Sequence, residues 1–371
     1  MTTLYRYVLG HLQKGGLGLL FALTLFLFGC KEDGTQEMAS SGPKGFIEKW
    51  LGPKEDACDG VDVSQSKVEV HFTRLEEEIM SLKSPEAAHA FLQKYPTLAT
   101  QFFAVNQYPK REILENSLSK LAQDTAIHTI YKETKAAYGD IADLEKQFSD
   151  AFSHIKHYYP NFVVPKIYTI ITGLAIETFV SDSVIVLSLD YFLGNDAKYK
   201  PKEPSGLPFP DYILRRYKRE FIVPTCLLYV SNKYNKVDML ENTLLAEMIY
   251  YGKAYEFVKT MMPCTPDSLI IGYTGEQLKD TEGHEGLIWG FFLEQKVLYE
   301  TSHFIKTKYT GERPYTAEIG PRCPGKIGTW LGWRIIQEYR ATHPQVSFPT
   351  LMETKSSKTL FLDSKYKPKK K

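Results

Sequence analysis

The stretch from Asn242 to Pro263 (NTLLAEMIYYGKAYEFVKTMMP) restricts the possible folds more than any other part of the chain. Leu244, Met248, Tyr251, Tyr255, Val258 and Met262 recur at steps of four and three, which predicts a helix with a continuous apolar stripe. Pro263 stops it. A helix of this length buries such a stripe only as the central element of a core, so the rest of the chain must supply the layers around it. Two later segments fit that role: Gly283 to Glu300 (GHEGLIWGFFLEQKVLYE) reads as an amphipathic helix, and so does Lys326 to Arg340, whose Gly328 and Gly332 allow close packing on a neighbour.

Upstream the texture is mixed. Val163 to Gly173 and Ser183 to Phe192 are β-branched runs separated by a Ser181-Asp182-Ser183 turn, which predicts two strands able to pair. From Val61 to Ser153 the spacing is helical apart from a strand-like VEVHF at Val68 to Phe72. His154 and His157 form an HxxH with no third ligand in register, which reads as a solvated helix end. Phe209 to Phe221 opens on Pro210-Asp211 as a helix start, and Arg215, Arg216, Lys218 and Arg219 read as its solvated face. The expected fold class is α+β, mainly α-helical.

The N-terminus carries a different message. Arg6 and Lys14 precede an apolar run from Leu17 to Phe28, short for a permanent span, and the run ends at Leu27-Phe28-Gly29-Cys30. This resembles a bacterial lipoprotein signal. Residues 1–29 are expected to be cleaved and Cys30 acylated, palmitate being the expected kind of chain. Residues 30–53 are polar and Gly/Ser-rich, a tether between lipid and folded domain. Lys31-Glu32-Asp33 is similar to the acidic export signals of surface lipoproteins in the Bacteroidota, and equally to a generic solvated tether.

Loss of Arg6 and Lys14 with the signal takes the net charge from +1 to −1, which leaves no footprint for nucleic acid. Apart from Cys30 there are Cys58, Cys226, Cys264 and Cys323, compatible with two disulfides of unknown pairing or with four free thiols. The chain has no HExxH, P-loop, GxGxxG or GxSxG, so the metallohydrolase, kinase, dehydrogenase and serine-hydrolase classes lack their usual signatures. Glu247 and Glu285 are the acids expected to be half-buried, with Tyr250, Lys253 and Arg334 as candidate partners.

An ordered set of motifs, KIYTIITG, SLDYFLG, FPDYILRRY, AEMIYYGK, MMPCTPDSLIIGYT, HEGLIWGFFLEQKVLY, PGKIGTWLGWRII and DSKYKPK, resembles the gliding motility lipoprotein GldB family of the Bacteroidota over about residues 160 to 369. The resemblance implies an envelope lipoprotein, most simply of the outer membrane, needed for gliding and for the associated type IX secretion. Its partners would be the membrane, through the lipid, and other gliding and secretion envelope proteins. Apart from the covalent lipid on Cys30 no cofactor is implied. The family also looks distantly like a zincin metalloprotease scaffold, with a small sheet and a central helix lacking metal ligands.

Laid over this chain, the HExxH position is Ala246-Glu247-Met248-Ile249-Tyr250: the Glu is kept and both imidazoles are gone, as in a pseudoenzyme. The expected layout is an N-terminal helical region at 54–159 packed with a family-like region at 160–371 as one domain. The expected role is a non-catalytic scaffold or assembly factor. Glu247, Tyr250, Lys253, Glu285, Trp289 and Trp333 are its groove or partner-binding residues, and Lys253 either snorkels to solvent or stands in for the lost metal by pairing with Glu247 or Glu285. Two rivals remain: a lipid-anchored metallohydrolase with a non-standard site of Glu247, Glu285 and His284, and a surface binder of glycan or nutrient.

Overall fold

The computed structural model describes residues 60–368, which belong to the compact unit Asp59–Lys371. The signal, Cys30, the tether and Cys58 lie outside the described residues. Among the described residues the first strand is β1 (Phe72–Arg74), followed by helices α1 (Glu76–Met80), α2 (Pro85–Lys94), α3 (Pro96–Gln101), α4 (Arg111–Gln123), α5 (Thr125–Ala137) and α6 (Ala142–Tyr158). Strands β2 (Lys166–Ile170), β3 (Thr178–Val180) and β4 (Val184–Ser188) come next, then α7 (Asp211–Leu214), α8 (Ile222–Ser231) and α9 (Leu244–Met261). The C-terminal part is helical: α10 (Asp267–Ile271), α11 (Gly275–Gly283), α12 (Glu285–Glu294), α13 (His303–Thr310), α14 (Ile327–Thr342), α15 (Phe348–Glu353) and α16 (Ser357–Ser364). The protein is thus a mainly helical α+β fold around one small mixed sheet.

The sheet runs β1-β2-β4-β3, with β1 and β4 parallel to β2 and β3 antiparallel to β4. The two β-branched runs do pair, Lys166 opposite Val184 through Ile170 opposite Ser188. All of β4 and all of β2 but Lys166 are buried, as continuous apolar runs require when both faces of a sheet are covered.

The strand expected at Val68 to Phe72 is mostly absent, and the reason lies in its hydrogen bonds. Backbone N–H groups of Val68, Val70 and Phe72 donate to the side chains of Ser153, Ser149 and Glu145 on α6, at 2.9, 3.0 and 2.8 Å. Alternate residues of an extended segment meet side chains spaced one helical turn apart, so the segment is satisfied by a helix where a strand would need a second strand. The same packing corrects the HxxH reading, because His154 is buried and shares a hydrogen bond with the Asp150 carbonyl, while His157 is exposed.

At the centre α9 and α14 cross at their glycines. A Cβ on Gly332 would lie 1.8 Å from the Met248 carbonyl oxygen, and one on Gly252 would lie 2.4 Å from the Gly332 carbonyl, so the helices touch backbone to backbone. Thr243 caps α9 by accepting from the Ala246 N–H. The expected single stripe is too narrow: residues on every side of α9 are buried, including Lys253 and Glu256. Both disulfide alternatives are also corrected, since Cys264 is disulfide-bonded while Cys226 and Cys323 are free.

Candidate functional site

Charged groups drawn into a helical core must find partners, and the six expected groove residues do so in separate places. Glu247 accepts from the Thr310 hydroxyl at 2.7 Å and lies 3.6 Å from the Lys306 amine. The Tyr250 hydroxyl donates to the Asn232 side chain at 2.7 Å. Trp333 donates its indole N–H to Glu256 at 2.8 Å, and Arg340 donates to the other oxygen of the same carboxylate. Only Glu285 and Trp289 meet at a common neighbour: Arg334 and the Tyr366 hydroxyl donate to Glu285 at 2.9 and 2.8 Å, and the Trp289 ring stands edge-on to Tyr366.

Lys253 corrects an expectation. Its amine pairs with neither Glu247 nor Glu285; it donates to three backbone carbonyls, Lys236 at 2.6 Å, Thr354 at 2.9 Å and Met352 at 3.1 Å. The residue is 1% exposed, so it does not snorkel to solvent. Burial pushes its pKa down to about 7, and the three carbonyl dipoles favour the charged form in opposition. Lys253 ties the loops before α9 and after α15 to the central helix.

His284, proposed with Glu247 and Glu285 as a metal set, shares its hydrogen bond with the Asp280 carbonyl at 2.7 Å, so the three residues have three different partner sets. Among the described residues no three or more His, Cys, Asp or Glu are grouped to hold a metal ion.

A denser cluster lies where the sequence was read as solvent. Four loops converge on Glu312: the end of α7 with Arg215 and Arg216, the α10–α11 turn with Gly272 and Tyr273, the segment after α13, and the residue before α14, Lys326. Arg216 donates to Glu312 at 2.7 Å, and the Lys326 amine lies 3.2 Å from the same oxygen while donating to the Ile271 carbonyl at 2.9 Å. Arg215 donates to the Gln277 side chain at 2.9 Å and to the Gly272 carbonyl at 3.3 Å. Gln277 is itself fixed by the capping box it forms with Thr274.

Two glycines make the convergence possible. Gly272 has φ +79°, and a Cβ there would fall 2.6 Å from Arg216 Cδ; at Gly325 it would fall 2.1 Å from the Arg313 carbonyl oxygen. Lys326, not a glycine, also takes a left-handed φ of +59°, local strain that the surrounding contacts must hold in place.

The electrostatics follow from crowding. Burial works to raise the Glu312 pKa, but Lys326 and Arg216 outweigh it and hold the carboxyl at about 2. Burial pushes Lys326 down to about 8 against the pull of Glu312. Arg215 is pushed down by burial and then by the neighbouring Arg216 charge. Close by, burial raises Glu177 to about 7. Glu312 and Arg216 nevertheless keep 24% and 22% of their side-chain surface in solvent, so the cluster forms the floor of a cleft. The space over it is about 10 Å³, room for about one water.

Sequence reasoning missed this cluster because it took four adjacent cations for a solvated face. In fact Arg215 and Arg216 line the cleft, and Arg219 pairs with Asp143 and lies over the Tyr138 ring. The available signal was charge next to glycine in short loops: Gly311-Glu312-Arg313 and Gly325-Lys326.

The description "Gliding motility protein GldB" belongs to a family model that matches residues 57–368. No curated protein and no solved structure matches the chain. The matched region takes in every strand and helix described above, extending the resemblance well upstream of residue 160. The chain belongs to the family of the gliding motility protein GldB, a family of lipoproteins, and with it to the lipid-anchored proteins of the cell envelope.

Proposed function

We propose that the protein is a non-catalytic scaffold or assembly factor of the gliding machinery and its associated type IX secretion, held at the outer membrane by a lipid on Cys30. Family membership supports gliding and the envelope; the partner-docking role rests on helix α12. Its sequence is apolar on all sides, as in helices buried on all sides, yet only Ile288, Trp289 and Phe292, with Glu285, face the core. The outward face consists of Gly286, Leu287, Gly290, Leu293 and Glu294, with Leu287 74% exposed and Leu293 50% exposed. Cβ atoms at Gly286 and Gly290 would meet nothing, so the backbone is open to close approach by a second helix. Among the described residues no helix is long and apolar enough to cross a membrane.

The occupant we favour is an apolar helix of another envelope protein. Leu287→Asp combined with Leu293→Asp should abolish colony spreading while leaving the protein's abundance, lipidation and melting temperature near wild type. Normal spreading by that double variant would refute the docking role of this face.

A further inference from the structure

The cleft around Glu312 has an unbalanced charge. Arg215, Arg216 and Lys326 come together there, and Glu312 is the carboxylate within ion-pair distance of Arg216 and Lys326. Arg215 has no carboxylate partner among the described residues; both of its hydrogen bonds leave from one terminal nitrogen, so its Nε and its other terminal nitrogen remain available. A guanidinium held half-buried beside a second guanidinium, with the Glu312 charge shared among the cluster's cations and no carboxylate at ion-pair distance, is stabilised by an anion that completes it. The positions are also fixed: Gln277 of the capping box orients Arg215, and Gly272 lets Arg216 lie against the backbone. Tyr212 and Tyr273 line the same space, and the Tyr273 hydroxyl is already used on the Gly325 carbonyl.

The size and the resident acid narrow the ligand. Room for about one water admits the tip of a ligand and not a whole hydrated ion, and Glu312 on the cleft floor repels a dianion more strongly than a monoanion. A carboxylate entering end-on is a compact monoanion whose leading oxygen can accept a charge-assisted bond from a free guanidinium N–H. We propose that this cleft binds a carboxylate presented by a polypeptide, its leading oxygen taken by the unused donors of Arg215. The site is independent of the apolar face of α12.

The test uses the full chain, purified in detergent, and saturation-transfer NMR with four probes: acetate, tetra-alanine with a free C-terminus, tetra-alanine amide, and the same amide carrying one internal Glu. Acetate and the free-terminus peptide should bind and compete with each other, and the plain amide should not bind. Binding by the Glu-containing amide as tightly as by the free terminus would assign the site to acidic side chains; weaker binding would assign it to chain ends. Arg215→Gln should weaken acetate binding by about tenfold or more, with Arg215→Lys in between because it keeps the charge and loses the oriented donors held by Gln277. Three results would overturn the proposal: equal binding of the plain amide, tighter binding of inorganic phosphate than of acetate, or unchanged acetate affinity in an Arg215→Gln protein that melts like wild type.

Discussion

Lys253 and Lys326 are two lysines drawn out of water by the same helix pair, one inside α9 and the other at the start of α14, and burial lowers the pKa of both, to about 7 and about 8. Their surroundings differ. Lys253 has one carbonyl oxygen for each of its three N–H bonds, so neutral dipoles use its whole donor capacity and the site is closed. Lys326 shares a single carboxylate with Arg216 while Arg215 stands by without one, so its site is fixed in position but unbalanced in charge. Burial of a charge therefore does not mark a functional site by itself; what separates the two places is whether the partners already present finish the job.

The most severe way to break the comparison is to pry apart the helices that carry both lysines. Gly332→Ala places a methyl group 1.8 Å from the Met248 carbonyl oxygen, and the resulting shift should cost about 3 kcal/mol in chemical denaturation. A loss below about 1 kcal/mol would mean that the helix contact is softer than its geometry.

Lys253→Met strikes the closed site alone. It leaves three carbonyls without a donor and also relieves a buried charge, for a net loss of about 2 kcal/mol. The effect should depend on pH with a definite sign. Lys253 loses its proton near 7 in the folded chain against an ordinary 10.5, so between those values the unfolded chain binds more protons at this residue. Wild-type stability should therefore climb relative to the variant from pH 7 toward pH 10.5, and this contribution should be lost again as pH falls through 7. Parallel stability curves for the two proteins at pH 7 and pH 9 would remove Lys253 as the titrating group.

Glu312→Gln sharpens the other half of the contrast. It removes the counter-charge of two cations, but both Glu312 and Arg216 still touch solvent, so the loss should be smaller, roughly 1 kcal/mol. Added acetate should restore part of that loss in thermal melts and do nothing for Lys253→Met. Restoration of both, or of neither, would erase the distinction between an open and a closed charge.

Much of the fold could be read locally. The end of α9 follows from a Pro stop, β2 and β4 from β-branched runs, and the close helix contact from Gly332. Local patterns failed where a group's partner is distant in sequence. Val68 to Phe72 has the composition of a strand but gives its N–H groups to a helix more than seventy residues away. Lys253 was expected to need a carboxylate, because side-chain chemistry is visible in a sequence and the backbone carbonyls of two returning loops are not. The cleft was hidden for the same reason: Arg216, Glu312 and Lys326 come from separate loops, and their charges are meaningful only together.

The segment from Val68 to Phe72 has a mechanical consequence. A lipid on Cys30, as proposed, would moor the protein by its N-terminal side, and this segment lies among the first described residues. Its three bonds to α6 run side by side, to Ser153, Ser149 and Glu145. A pull along the segment stretches all three at once, in shear, whereas a peeling pull would break them one after another. The extended strap on α6 thus spreads traction over two helical turns before any of it reaches the sheet.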